Sequence, residues 1–297
     1  MTDAVRALLG EAADRLTAAG VDSARFDAES LLAWVLGLPR ERLRNCSRPD
    51  EEELEAFSAA VSRRASREPL QHITGTTAFR YLDLEVGPGV FTPRPETEVM
   101  TGVAVAELQK LVASGLRSPL AVDLCSGSGA VAIAMATEAP ATQVTAVELS
   151  AEAWAYGLRN GAGRGIDMRC GDIEHAADDL AGCVHVVTAN PPYIPLSAYE
   201  SVAVEARDFD PALALWSGED GLDAIAVVAE VAARLLVEGG LVLCEHADVQ
   251  QRSAPAVFAA TGDWTRVRDH PDLTGRPRFV SARRSSRSSS STGTMAS

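Results

Sequence analysis

Asn190-Pro191-Pro192-Tyr193 follows an apolar run, Val184 to Ala189, and sets a carboxamide, two prolines and an aromatic ring at the end of what reads as a buried strand. Those residue types suit substitution at a planar nitrogen. The lone pair of an amide NH2 is delocalised, so a catalyst must hold the two N–H groups with acceptors and leave the lone pair facing an electrophile. The side-chain carbonyl of Asn190 supplies one acceptor. Proline fixes φ, has no N–H and biases the preceding residue away from the helical region, so Pro191 and Pro192 stiffen the turn and aim the Pro191 carbonyl as the second acceptor. Tyr193 can then stack on the flat substrate group. The competing reading of these four residues is an ordinary loop after a strand.

A strand end needs a sheet to hold it. From Pro119 onward the pattern alternates strand and helix: strand Leu120–Leu124, helix 130–139, strand Gln143–Glu148, a strand ending in Met168-Arg169-Cys170-Gly171-Asp172, then the Val184–Ala189 strand. A helix over 223–237, capped by Asp223, leads through Gly239-Gly240 into strand 241–245, and the segments around Val267 and Phe279 read as an edge hairpin. Such alternation predicts an α/β protein with a Rossmann-like parallel sheet covered on both faces.

Ligands of open α/β sheets bind at the carboxyl ends of the strands, where the remaining marked residues gather. In Asp123-Leu124-Cys125-Ser126-Gly127-Ser128-Gly129 the glycines let backbone approach a ligand closely at a helix N-terminus. Glu148 follows Gly129 by 19 residues, an offset at which an acid can take both hydroxyls of a ribose. Asp172, on the next strand, is placed to accept from an adenine amino group. Gly127-x-Gly129-x-x-Ala132 also fits a dinucleotide fingerprint, which keeps a nicotinamide-dependent oxidoreductase in contention. Asp123 argues against it: a carboxylate beside the glycine turn repels a pyrophosphate and attracts the ammonium of a methionyl group. S-adenosylmethionine, with an ammonium and a sulfonium, is the cofactor that fits. The chemistry at Asn190 leaves an N6-adenine DNA methyltransferase as a rival, and a silent cofactor-binding adaptor as a more distant one.

Net charge is −14 over 297 residues and Lys110 is the only lysine, so nucleic-acid phosphates are repelled apart from one basic run near the C-terminus. A protein or small-molecule substrate is expected, with no direct nucleic-acid binding. Cys46, Cys125, Cys170, Cys183 and Cys244 are odd in number and widely spaced, which predicts a reducing compartment and no structural metal site. Met1 to Gly10 carries Asp3 and Arg6 and no cleavable apolar segment, so a cytoplasmic protein without membrane association is expected; a monomer is the expected state, though no residue pattern speaks to self-association. Residues 1–70 read as a helical bundle. Val5, Leu8, Leu9, Ala12 and Leu16 mark a first helix started by Thr2 or Asp3 and ended at Gly20; helices over 27–36 and Glu51–Ala65 follow. Residues 71–92 read as a linker and a hairpin over 79–90, residues 93–283 as the catalytic domain, and the serine-rich 284–297 as a disordered tail. In Phe91-Thr92-Pro93-Arg94-Pro95-Glu96-Thr97-Glu98 the acids and Pro95 are ordinary helix-start residues, whereas Arg94, locked between prolines, is oriented as a cation toward the substrate.

Together the motifs resemble the release-factor glutamine N5-methyltransferases, the PrmC/HemK family. The resemblance spans about Phe26 to Arg283 and rests on Glu68-Pro69-Leu70-Gln71-His72-Ile73-Thr74-Gly75, Pro93-Arg94-Pro95-Glu96-Thr97-Glu98, the glycine loop, Asn190-Pro191-Pro192-Tyr193-Ile194, Asp220-Gly221-Leu222-Asp223, Glu245-His246 and Asp272-Leu273-Thr274-Gly275-Arg276-Pro277-Arg278-Phe279. It implies a helical domain that recognises a peptide-chain release factor and a domain that methylates the glutamine of its Gly-Gly-Gln loop. Cysteine replaces the family's first loop glycine at Cys125, Ile173 stands where an aromatic often lies near adenine, and Ala247 where glycine is common. Cys125, Ser126, Ser128 and Ile173 are nonetheless expected to line the cofactor pocket.

Overall fold

The computed structural model describes residues 2–286, so the predicted tail lies outside it from residue 287 on. Helix α1 (Asp3–Ala18) begins where the Thr2 hydroxyl accepts from the Val5 N–H at 3.3 Å. It packs with α2 (Ala24–Val35) and α3 (Glu51–Ala65), the last opened by a reciprocal Asp50/Glu53 capping box. Val5, Leu9, Leu16, Leu31, Leu32, Phe57 and Val61 interlock as the core of this bundle. The expected linker contains a short helix, α4 (Leu70–Thr74), stopped by Gly75 at φ 76°.

The hairpin sits further toward the N-terminus than the alternation suggested, as β1 (Thr76–Phe79) and β2 (Leu82–Glu85). Beyond Glu85 the apolar residues stay buried but leave the ladder: Val86 and Val90 pack on Ala153 and Tyr156. Burial, rather than strand pairing, produced that alternation.

The second domain follows as α5 (Thr97–Ala113), β3 (Leu120–Leu124), α6 (Ala130–Glu138), β4 (Gln143–Glu148), α7 (Ala151–Asn160), β5 (Asp167–Cys170) and β6 (Val184–Ala189). It continues with α8 (Val204–Phe209), α9 (Ala212–Leu215), α10 (Asp223–Leu235), β7 (Leu236–Glu245), α11 (Ser253–Ala260), β8 (Trp264–Pro271) and β9 (Pro277–Arg284). One seven-stranded sheet has the order β5-β4-β3-β6-β7-β9-β8, in which β9 alone runs antiparallel to the other strands. Alternate residues of β3 serve opposite faces: Ala121 packs with α5 and α6, Val122 and Leu124 with α10 and α11.

Three details depart from the sequence reading. Asp223 opens α10 without capping it; the Ser217 hydroxyl takes the Ala224 N–H at 2.9 Å instead. Strand β7 starts at Leu236, before the glycine pair, and the register slips between Val184↔Leu236 and Val186↔Leu241, so Gly239 and Gly240 lie in a bulge within the strand. Arg284 belongs to β9 rather than to the tail, and the basic run there is neutralised locally, Arg283 by Glu107 at 2.7 Å and Arg284 by Asp263 at 2.7 Å. No helix among the described residues is long and apolar enough to cross a membrane.

Register determines what meets at the top of the sheet. Leu124 pairs with Ala189 and Ala189 with Cys244, so Cys125, Asn190 and Glu245 leave three neighbouring strands side by side. Glu148 pairs with Cys170, which brings Asp172 beside it. Strand β3 is flanked by β4 on one side and β6 on the other, so this row straddles the switch point of the sheet, where such folds open a crevice.

Candidate active site

Between β3 and α6 the chain makes its turn with three residues in the left-handed region, Cys125 (φ 59°), Gly127 (φ 55°) and Gly129 (φ 84°). Gly129 also sits where a Cβ would lie 3.1 Å from the Ile133 side chain and 3.5 Å from the backbone of Gly157. Cys125 takes the same hand of turn without a glycine's freedom, a strain on the order of 1 kcal/mol. Its thiol is held well above the usual cysteine range, first by burial and then by the nearby Glu148, Asp123 and Asp172. It is therefore held as the neutral thiol.

Glu148 braces the turn from β4. Its Oε2 accepts from Gly127 N–H and its Oε1 from Ser150 N–H, each at 2.8 Å. Asp172 stands exposed on the neighbouring loop, one oxygen accepting from Glu174 N–H at 3.0 Å. Asp123 is buried beneath the turn, where Thr188 donates to Oδ1 at 2.7 Å and Ala132 N–H to Oδ2 at 3.2 Å. Burial pushes its carboxyl up to about 7, against the pull of those two donors.

Asn190 emerges from β6 with its NH2 donating to Thr97 Oγ1 at 3.2 Å, while Thr97 donates to Glu245 Oε2 at 2.6 Å and Tyr193 OH to Glu245 Oε1 at 3.1 Å. Burial raises the Glu245 carboxyl to about 7 and, with the adjacent Glu245, keeps the Tyr193 phenol protonated. Sequence spacing gave no sign of this chain. Thr97 read as a helix-start residue, and its partners are 93 and 148 residues away.

A cavity of about 370 Å³ joins these groups. Asp123, Cys125, Ser126, Gly127, Ser128, Glu148, Asp172 and Ile173 line one part; Asn190, Pro192, Tyr193 and Thr97 line another. Gly129 lies behind the lining as the residue before α6. Pro191 is buried and is not a lining residue; its neighbour Pro192 is. Arg94 does not face the cavity as a free cation either. The buried Asp210 carboxylate accepts from its guanidinium at 2.7 Å, and the guanidinium covers the Phe91 ring at 5.1 Å. Its neighbours Phe91 and Pro93 take the lining positions instead. Pro211, Leu213, Ala214 and Leu215 roof the site from the strap that carries α8 and α9, residues whose sequence had no motif to announce them. The Ile194 N–H donates to Leu215 O at 2.9 Å and fastens that strap to the residue after Tyr193.

Two buried hydroxyls of the lining, Ser126 and Ser128, have no hydrogen-bond partner. Buried polar groups are rarely left so, and a polar ligand seated on the turn satisfies them. Carboxylates at Glu148 and Asp172, apolar Ile173 and a helix N-terminus suit an adenosyl group with a methionyl tail. This structure thus tests well against S-adenosylmethionine.

Fold and site together define a Rossmann-like, S-adenosylmethionine-dependent methyltransferase. A family model described as PrmC N-terminal domain matches residues 7–75, and one described as Methyltransferase small domain matches 81–206. The release factor glutamine methyltransferase of Streptomyces coelicolor is 50% identical over 276 residues, 93% of this chain and 96% of the relative. That of Mycolicibacterium smegmatis is 45% identical over 287 residues, 96% of this chain and 99% of its own. A 4-amino-L-phenylalanine/4-methylamino-L-phenylalanine methyltransferase of Streptomyces pristinaespiralis is 41% identical, with 89% and 90% covered. The chain belongs to the release factor glutamine methyltransferase family.

Proposed function

We propose that this enzyme methylates N5 of the glutamine in the Gly-Gly-Gln loop of peptide-chain release factors, acting as a monomer in the cytoplasm. The observation that carries the reading is the Asn190 carboxamide: its NH2 is tied back to Thr97, so its carbonyl is left as the acceptor, at the edge of the cofactor cavity. S-adenosylmethionine supplies the methyl group on a positively charged sulfur. Glu148 would hold the ribose hydroxyls, Asp172 the adenine amino group beside Ile173, Asp123 the methionyl ammonium, and the turn from Cys125 through Gly129 would receive the tail on Ser126, Gly127 and Ser128.

On the substrate side, the Asn190 side-chain carbonyl accepts one N5 hydrogen of the glutamine from the cavity lining, and the second is assigned to the backbone carbonyl of Pro191, whose buried ring packs behind that lining. The lone pair is thereby turned toward the cofactor, and Pro192 and Tyr193 wall the flat group. Rate enhancement comes from alignment and fixed dipoles. An N-alkylated amide cation is itself very acidic and sheds its proton without a strong base. Arg94 acts indirectly, holding the strap through Asp210.

Labelled methyl transfer to purified release factors, followed by mass spectrometry of the Gly-Gly-Gln peptide, tests the proposal. Duplex DNA and 4-amino-L-phenylalanine are the control substrates. Label in either control and none in the release factor would overturn it.

A further inference from the structure

A carboxamide is nearly symmetric in shape and opposite in polarity at its two ends, so Asn190 has two ways to sit in the same space. Only one serves amide methylation. With the carbonyl outward, it accepts a substrate N–H; turned over, it presents donors to donors. Nothing in Asn190-Pro191-Pro192-Tyr193 itself selects between these.

The residues behind Asn190 do. Thr97 Oγ1 has one proton, and that proton is donated to Glu245 Oε2 at 2.6 Å. The oxygen facing Asn190 Nδ2 at 3.2 Å is therefore an acceptor, which admits the NH2 end and repels the carbonyl end. Glu245 accepts on its other side too, where Tyr193 OH donates to Oε1 at 3.1 Å; burial raises its carboxyl to about 7 against the pull of Thr97, Arg278 and Tyr193, so above that pH both of its oxygens are acceptors. Thr97 is 3% exposed and Glu245 1%, so water offers neither an alternative partner. Glu245 lines no part of the cavity, which separates its role from contact with a substrate.

We propose that Thr97 and Glu245 are positioning residues that fix which way the Asn190 carboxamide faces, Glu245 by taking the Thr97 proton and Thr97 by accepting from Asn190 Nδ2. The inference deepens the proposed function and rests on it for the kinetic readout alone.

The chain has three asparagines, Asn45, Asn160 and Asn190, so asparagine-selective ¹⁵N labelling gives a side-chain spectrum simple enough to assign through Asn190→Ala. In the wild type one Nδ2 proton of Asn190 is expected to exchange slowly with solvent. Thr97→Val keeps the shape and removes the oxygen; protection is lost and kcat falls at least about 10-fold, with S-adenosylmethionine affinity little changed. Glu245→Leu, which frees the Thr97 proton, lowers Asn190 protection in the same way. Thr97→Ser restores both protection and kcat. Unchanged Asn190 protection in Thr97→Val or Glu245→Leu overturns the proposal, as does Thr97→Ser failing alongside Thr97→Val. Should the valine or leucine variant not fold, the wild type and Thr97→Ser decide, because an unprotected Asn190 amide in either sinks the idea. If the wild type methylates no release factor, the function fails while the amide spectrum still judges the lock.

Discussion

Arg67, just past the helical bundle, grips Glu205 on the strap of the catalytic domain with two parallel hydrogen bonds, Nε to Oε1 at 2.8 Å and Nη2 to Oε2 at 2.7 Å. Arg64 adds contacts to Oε1 at 3.1 and 3.2 Å, and itself donates to Asp27 at 2.7 Å inside the bundle. The strap that roofs the cavity is thus anchored to the helical domain by one carboxylate shared between two arginines.

Glu205→Ala is expected to lower unfolding stability by about 2 kcal/mol, the scale of losing charged hydrogen bonds in a partly buried site. It costs more than Arg67→Ala, because it leaves Arg67 without a carboxylate partner beside Arg64, whose charge is then met by Asp27 alone. Burial opposes ionisation of Glu205, yet its bonds to Arg67 and Arg64 outweigh that and hold its carboxyl below the usual range. A carboxyl lowered by folding contributes stability above its unfolded pKa of about 4.3 and loses it as pH falls through the folded value. Acid melts of Glu205→Gln should accordingly lack part of the wild-type decline in that window; identical curves would remove the clamp from the stability account.

Asn190→Ala removes the acceptor that the proposed reaction needs. Turnover on a release factor is expected to drop at least about 10²-fold, the scale of losing one preorganised polar group. Calorimetric affinity for S-adenosylmethionine should survive, since Glu148, Asp172 and the turn are untouched. Near-normal turnover would strip Asn190 of its role.

Cys125 is a left-handed residue in a tight turn, so its neighbours in size and branching discriminate between strain and packing. Cys125→Gly relieves on the order of 1 kcal/mol of strain and adds a similar unfolded-state entropy, leaving the melting temperature close to wild type. Cys125→Val places a β-branched residue at positive φ and should be destabilised by roughly 2 kcal/mol. Equal melting temperatures for glycine and valine variants would show that the turn carries no such strain.

Asp123 supplies a pH effect with a defined sign. Its carboxyl sits at about 7 in the folded protein, raised by burial despite Thr188 and Ala132, with Glu148 adding to the rise. The folded state therefore holds a proton that the unfolded chain has released, and this group's contribution to stability falls as pH rises from about 4 to 7. A methionyl ammonium at Asp123 favours the charged form, so S-adenosylmethionine binding at pH 6.5 should release protons. Titration calorimetry in buffers of different ionisation enthalpy measures that release; Asp123→Asn should abolish it, and an equal release from the variant would place the proton elsewhere.

The amino-acid sequence by itself determined the parallel sheet, the glycine turn and the stiff turn after β6, because each is written in neighbouring residues: apolar runs of strand length, positive-φ glycines and paired prolines act over a few bonds. Strands Gln143–Glu148 and Val184–Ala189 were legible to the residue for that reason. Glu148 and Asp172 were legible as strand-end acids, since a sheet delivers its strand ends to one edge. Tertiary structure alone decided which partner each polar side chain takes. Arg94 was captured by Asp210, 116 residues away, Arg67 by Glu205, 138 away, and Asn190 was turned by Thr97 and Glu245. A charge or a hydroxyl accepts any complementary group, so its local sequence carries no address; only the packing of the sheet edge against α5 and the strap limits the choice to one.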